Sequence, residues 1–159
     1  MKKETLYAYL AGAIDSDGTI GIKKSTYAMR VRKDATQAVY SERVTLRQVT
    51  AAIPTLLRDT FGGSLYITKP STKNGRPLYS WAATDLKAVA CVEAVRLFLT
   101  VKRAQADNVL RLRKVKVRSM AAKVRPGRGH AGAARRPVHL TAAMEALYLE
   151  AKRLNVTGV

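Results

Sequence analysis

Soft and anionic chemistry is scarce in this chain: 159 residues contain one cysteine, two histidines and eleven acidic side chains. Cys91 has no partner for a disulfide and lies in an apolar helical pattern, so it reads as core filler in a reducing compartment. With His130 and His139 as the only histidines and a single cysteine, a zinc site built from the usual nitrogen and sulfur ligands is not expected. No apolar run approaches the roughly 18 residues of a membrane span, and the N-terminus lacks the apolar core of a signal peptide. The expectation is an intracellular protein with no membrane partner.

Cations, by contrast, are abundant. Lys and Arg number 29 against 11 Asp and Glu, a net charge of +18, while 47% of residues are apolar. That apolar share makes a globular domain with a real core, not a basic tail. A charge so large on so small a domain points to a polyanion, nucleic acid before an anionic membrane.

One stretch organises the rest: Leu10-Ala11-Gly12-Ala13-Ile14-Asp15-Ser16-Asp17-Gly18. On a helix over residues 5 to 16, at about 100° per residue, Leu6, Leu10 and Ile14 make a bulky stripe for the core. Ala8, Gly12 and Ser16 make a stripe of small residues roughly opposite it, where a second helix can approach closely. Gly12 costs about 1 kcal/mol relative to Ala in a helix interior, so such a face is wasted unless something packs on it. One motif per chain makes the same helix of a second copy the expected partner, in a twofold homodimer. Asp15 and Asp17 fall where the helix runs out, with Gly18 free to take the backbone angles of an abrupt exit. Carboxylates there face the negative end of the dipole and need compensation, which a divalent cation with a taste for oxygen would supply. Taken alone, Asp-Ser-Asp-Gly is also ordinary turn chemistry.

Period-two alternation follows, with Ile20 and Ile22 on one face and Thr19, Gly21 and Lys23 on the other. Residues 24–37 are basic and turn-rich, with Arg30 and Arg32, and could extend the strands into a long hairpin. A second strand, Ser41 to Gln48, points Val44 and Leu46 inward and Arg43, Thr45 and Arg47 outward. That outward face suits a DNA major groove, which admits a two-stranded ribbon, or is simply solvated. Thr50 caps a helix from Ala51, with Pro54 in its first turn and Gly62-Gly63 at its end. Strands Ser64 to Lys69 and Leu78 to Ala83 flank a loop carrying Arg76, with Leu65 and Ile67 inside; parity leaves Trp81 in the core or in a groove. Helices follow over 85–99 and from Lys102 to about Ser119. The second is basic through Arg111, Arg113, Lys114, Lys116 and Arg118, a solvated face or a grip on phosphates. The divisions expected are a domain over 1–122, a basic Gly/Pro linker over 123–138 and a C-terminal amphipathic helix over 139–159.

The nine residues Leu10 to Gly18, entering a strand at once, resemble the motif of LAGLIDADG homing endonucleases, departing at Ala13 and Ser16. The element order matches that family over roughly residues 5–118. The resemblance implies an α+β fold: an αββαββα core with an antiparallel, saddle-shaped DNA-binding sheet, plus the extra C-terminal helix. It implies Asp17 as the direct metal ligand, with the Ser16 backbone carbonyl beside it, and Asp15 as a lesser ligand or a shaper of the helix end. Gln48 matches a glutamine that orients the attacking water; its parity, shared with Val44 and Leu46, requires a twist or kink at the strand end. Lys102 matches the family's basic residue after the long helix, which stabilises developing negative charge. The activity implied is Mg²⁺-dependent hydrolysis of both strands of a long, nearly palindromic double-stranded DNA target, with Ca²⁺ or Mn²⁺ able to substitute in binding or cleavage. No small-molecule cofactor is implied. DNA contacts are expected from Lys23, Arg30, Arg32, Arg43, Arg47, Tyr66, Thr68, Lys69 and Arg76, and dimer contacts from Ala8, Gly12 and Ser16. The alternative is a catalytically inactive DNA-binding protein or RNA-splicing maturase of the same fold; an acid beside a phosphate favours the enzyme.

Overall fold

A computed structural model describes residues 2–28, 36–70, 75–121 and 138–157. The elements run α1 (Lys3–Asp17), β1 (Gly18–Ala28), β2 (Thr36–Gln48), α2 (Ala52–Phe61), β3 (Ser64–Thr68), β4 (Leu78–Thr84), α3 (Asp85–Val95), a 3-10 turn (Arg96–Phe98), α4 (Arg103–Ala121) and α5 (Val138–Thr157). The expected αββαββα order is present, with α4 and α5 added to it. The four strands form one antiparallel sheet in the order β1-β2-β4-β3.

Strand parity sorts the sheet into two faces. Ile20 pairs with Val44 and Val44 with Ala83; Leu46 pairs with Trp81 and Trp81 with Leu65. These rows pack against Leu10, Ala11 and Ile14 of α1, Leu57 of α2, Val92 and Val95 of α3, and Val109 of α4. Trp81 is settled in the core: it is fully buried, and its Nε1 donates to the Gly62 carbonyl at 2.8 Å. Gly62 and Gly63 end α2 at φ of 72° and 100°, and a Cβ on Gly63 would lie 2.5 Å from the Ala82 carbonyl oxygen. Only glycine tolerates both conditions there.

Several local expectations fail for identifiable reasons. Ile67 is 61% exposed because it lies near the end of the edge strand β3, beyond the cover of the helices. Thr50 does not cap α2, whose cap position is Ala51 with no side-chain hydrogen bond. The helix expected over 85–99 ends at Val95 and tightens into the 3-10 turn. Arg30, Arg32 and nearly all of the 123–138 linker lie outside the described residues.

The basic face of α4 is not a uniform phosphate grip. Arg113 and Lys116 turn inward to Glu42, a fully buried acid on the helix side of β2, at 3.0 and 2.7 Å, and Lys116 also meets Asp85 at 2.9 Å. Burial of these charges is tolerable because they pair with one another, although Glu42 Oε1 and Arg113 Nε make no hydrogen bond. Cys91 is buried as expected, which pushes its thiol up to about 12.

Helix α5 closes the open end of this layer. Met144 joins Tyr40 and Leu112 in a second apolar cluster, and Asn108 of α4 donates to the Leu147 carbonyl at 2.9 Å. Replacing Glu42 with Ala leaves Lys116 and Arg113 without a buried partner. The expected cost is about 3–5 kcal/mol, read as a lower urea midpoint at unchanged slope; a loss under about 1 kcal/mol would mark the pair as surface-like.

Candidate active site at the end of α1

The last turn of α1 carries Asp15, Ser16 and Asp17, and Gly18 begins β1 without a loop between them. Gly18 does not need unusual angles, since its φ of −89° and ψ of 170° are ordinary extended backbone. Space is what demands glycine: a Cβ there would lie 2.8 Å from both Cα and O of Ile14. The expected conformational reason is therefore replaced by a steric one.

Asp17 is exposed, and its carboxylate has two neighbours. Gln48 Nε2 donates to Oδ2 at 2.8 Å, and the Ser16 hydroxyl donates to Oδ1 at 3.2 Å. No kink is required to bring Gln48 there, because β2 stays in register through Gln48 opposite Tyr79. Its helix-side parity is the correct one, since α1 ends on that side. Gln48 Oε1 is buried and has no hydrogen-bond partner. Lys102 arrives from the start of α4, with Nζ donating to the backbone carbonyl of Asp15. Asp17, Gln48 and Lys102 thus gather at one helix end from three separate parts of the chain.

Asp15 is used differently from Asp17. Its Oδ2 accepts from the backbone N–H groups of Thr100 at 2.7 Å and Val101 at 3.2 Å, and its Oδ1 accepts from that of Lys102 at 2.9 Å. These amides belong to the turn just before α4, whose dipole presents positive charge at that end. The compensation expected of a cation is, for Asp15, supplied by the protein itself.

On the sheet's other face, Lys23, Arg43 and Arg47 project outward with Thr19 and Thr45, and Tyr66 and Thr68 extend this face on β3. Tyr66 and Thr68 are exposed, as are Lys69 and Arg76 beyond the strand ends. A groove of about 700 Å³ runs from Asp17 over Thr19, Lys23, Arg43, Thr45 and Arg47 to Tyr148, Lys152 and Asn155 of α5. Sequence reasoning missed this second wall. It also missed Tyr27, which is 60% exposed and was findable by continuing the alternation of β1 past Lys23. Nothing local marks Lys152, since its place depends on how α5 docks.

That docking is polar as well as apolar. Lys24 donates to both Glu145 oxygens at 2.9 and 2.7 Å, Tyr40 donates to the same carboxylate, and Asn155 Nδ2 donates to the Ile20 carbonyl at 3.1 Å. On α1, Ala8, Gly12 and Ser16 are all exposed, and a Cβ on Gly12 would meet nothing within 4 Å.

No family model and no curated protein matches this chain. Solved structures do. The archaeal intron-encoded homing endonuclease I-Vdi141I, complexed with DNA, aligns at a TM-score of 0.65 and 13% identity over 96% of this chain and 86% of its own. The homing endonuclease I-CvuI, in complex with its target in the presence of 2 mM Ca, aligns at 0.53 and 20% identity over 91% and 96%. The LAGLIDADG homing endonuclease I-GzeII, in complex with its DNA target, aligns at 0.58 and 13% identity over 89% of this chain but 43% of its own. The chain has the LAGLIDADG homing-endonuclease fold.

Hydrogen bonds from Lys24 and then Tyr40 hold the Glu145 carboxyl below its ordinary 4.5. A depressed folded-state value stabilises docking above the unfolded value and loses that contribution as pH falls through the folded one. Amide exchange in α5 is therefore expected to accelerate below pH 4.5, and Glu145→Gln should remove the pH step; an unchanged step would assign it to another group.

Proposed function

We propose that this chain is a site-specific DNA endonuclease, acting as a homodimer on a long, nearly palindromic duplex by metal-assisted phosphodiester hydrolysis. The observation that carries the reading is the convergence of Asp17, Gln48 and Lys102 at the end of the glycine-bearing helix, in a chain with the homing-endonuclease fold.

The donors at this point fit a hard divalent cation, Mg²⁺ first, with Ca²⁺ or Mn²⁺ as substitutes. They are the Asp17 carboxylate and the Ser16 backbone carbonyl, both oxygens. In the homodimer each chain brings one Asp17, so that a second copy supplies the other carboxylate. Such an ion, when bound, polarises a phosphate and acidifies a water. Gln48 donates to Asp17 through Nε2 and would orient the attacking water. Lys102 faces the charge that builds on phosphorus oxygens as the bond breaks.

Pairing through Ala8, Gly12 and Ser16 is supported by their exposure in a single chain and by the open space over Gly12. Lys23, Arg43, Arg47, Tyr66, Thr68, Lys69, Arg76 and Lys152 form the DNA surface of each half. If roughly 8 phosphates are neutralised, the affinity should fall with salt at a log–log slope near −7.

The test is a plasmid carrying the joined sequences that flank the reading frame, incubated with purified protein and Mg²⁺. Linear plasmid is expected, and Asp17→Asn should slow cutting by roughly 100-fold or more while Ca²⁺-supported binding persists. Binding without cutting by the wild type would favour the inactive DNA-binding reading. Cutting that survives Asp17→Asn would remove Asp17 from the reaction.

A further inference from the structure

We propose that Asp15 is a positioning residue that fixes the Lys102 ammonium beside Asp17; its catalytic consequence rests on the nuclease reading above. The two residues hold each other at both ends. The Asp15 side chain accepts the Lys102 backbone N–H at 2.9 Å together with those of Thr100 and Val101, and the Asp15 main chain accepts from Lys102 Nζ.

An ordinary helix cap comes from the residue just before the helix, as a Ser, Thr, Asp or Asn side chain. Here Lys102 occupies that place, its carbonyl accepting from Ala106 N–H at 3.0 Å, and lysine has no acceptor to offer. Asp15 of α1 instead fixes the turn that leads into the helix, accepting the N–H of this cap residue and of the two residues before it, Thr100 lying 85 residues away in sequence. The start of α4 is therefore tied to the same helix turn that carries Asp17. The exchange is reciprocal: α1 has no basic residue in its last turn, and Lys102 supplies the cation favoured at a helix C-terminus.

The ammonium has three donors. Its partner among the described residues is the Asp15 carbonyl alone, which holds the group in place and leaves two donors for an anion. A flexible lysine would lose side-chain freedom on meeting a phosphate; this one has already lost it.

Asp15→Ala, Asp15→Asn, Lys102→Ala and the double variant Asp15→Ala/Lys102→Ala test the proposal, with the cognate-site plasmid as substrate. In single turnover, Asp15→Ala and Lys102→Ala should each slow cleavage by roughly 100-fold, with binding in Ca²⁺ unchanged. The double variant should be no slower than the worse single. Losses that multiply, or a fall in binding that matches the fall in rate, would overturn the proposal.

A second readout needs no cleavage. In the free protein the Lys102 ¹⁵Nζ signal should be resolved by slowed proton exchange and should disappear in Asp15→Ala, with Asp15→Asn intermediate. A signal that survives Asp15→Ala overturns the positioning role. A wild type that binds and never cuts, with that signal present and lost as expected, overturns the nuclease reading instead and leaves the placement of Lys102 by Asp15 supported.

Discussion

The structure depends on a join between the end of one helix and the start of another. At α1's C-terminus the peptide dipoles and two carboxylates all present negative charge, an arrangement that is unfavourable on its own. Helix α4 begins against that point, and Asp15 accepts the three backbone amides that lead into it, those of Thr100, Val101 and Lys102. One acid is neutralised by protein and the other, Asp17, is left for other use. From that join α4 runs along the helix side of the sheet, where Arg113 and Lys116 reach the buried Glu42.

The two sides of the sheet use their cations in opposite ways. On the helix side, Lys24, Arg113 and Lys116 are committed to Glu145, Glu42 and Asp85. On the outer face, Lys23, Arg43 and Arg47 have no ion-pair partner among the described residues and line one groove with Asp17 at its end. Net charge alone says that a polyanion binds somewhere; the distribution of partners says on which face. A phosphate backbone is a better fit for unpaired guanidinium groups held on a rigid sheet than for cations already paired inside.

Much of this was legible before any coordinates. Alternation of Ile20 and Ile22, then of Val44 and Leu46, assigns the inner face, because a strand has only two sides. The Gly62-Gly63 stop and the opposed stripes of α1 follow from sterics at single residues. What escaped depended on distant parts of the chain. Charge on Arg113 and Lys116 looks like a solvated face until Glu42, over seventy residues earlier, is brought beneath it. Asp15 reads as a lesser ligand or a shaper of the helix end, and only the turn before α4 shows what its carboxylate meets. Gln48 seemed to require a kink because the side of the sheet on which α1 ends was unknown. The motif pointed to one helix end, and tertiary contacts there give its two acids different neighbours.

The pairing of two chains through the small-residue stripe is the claim on which the proposed cleavage of both strands rests, and mass in solution tests it most directly. Light scattering on the protein bound to a palindromic duplex in Ca²⁺ is predicted to give two chains per duplex. Gly12→Leu should fold at least as well as the wild type, since the single chain leaves open space there and leucine favours a helix more than glycine does. It should nonetheless fall to one chain. A wild type that binds DNA as one chain, or a Gly12→Leu variant that still pairs, would contradict the account.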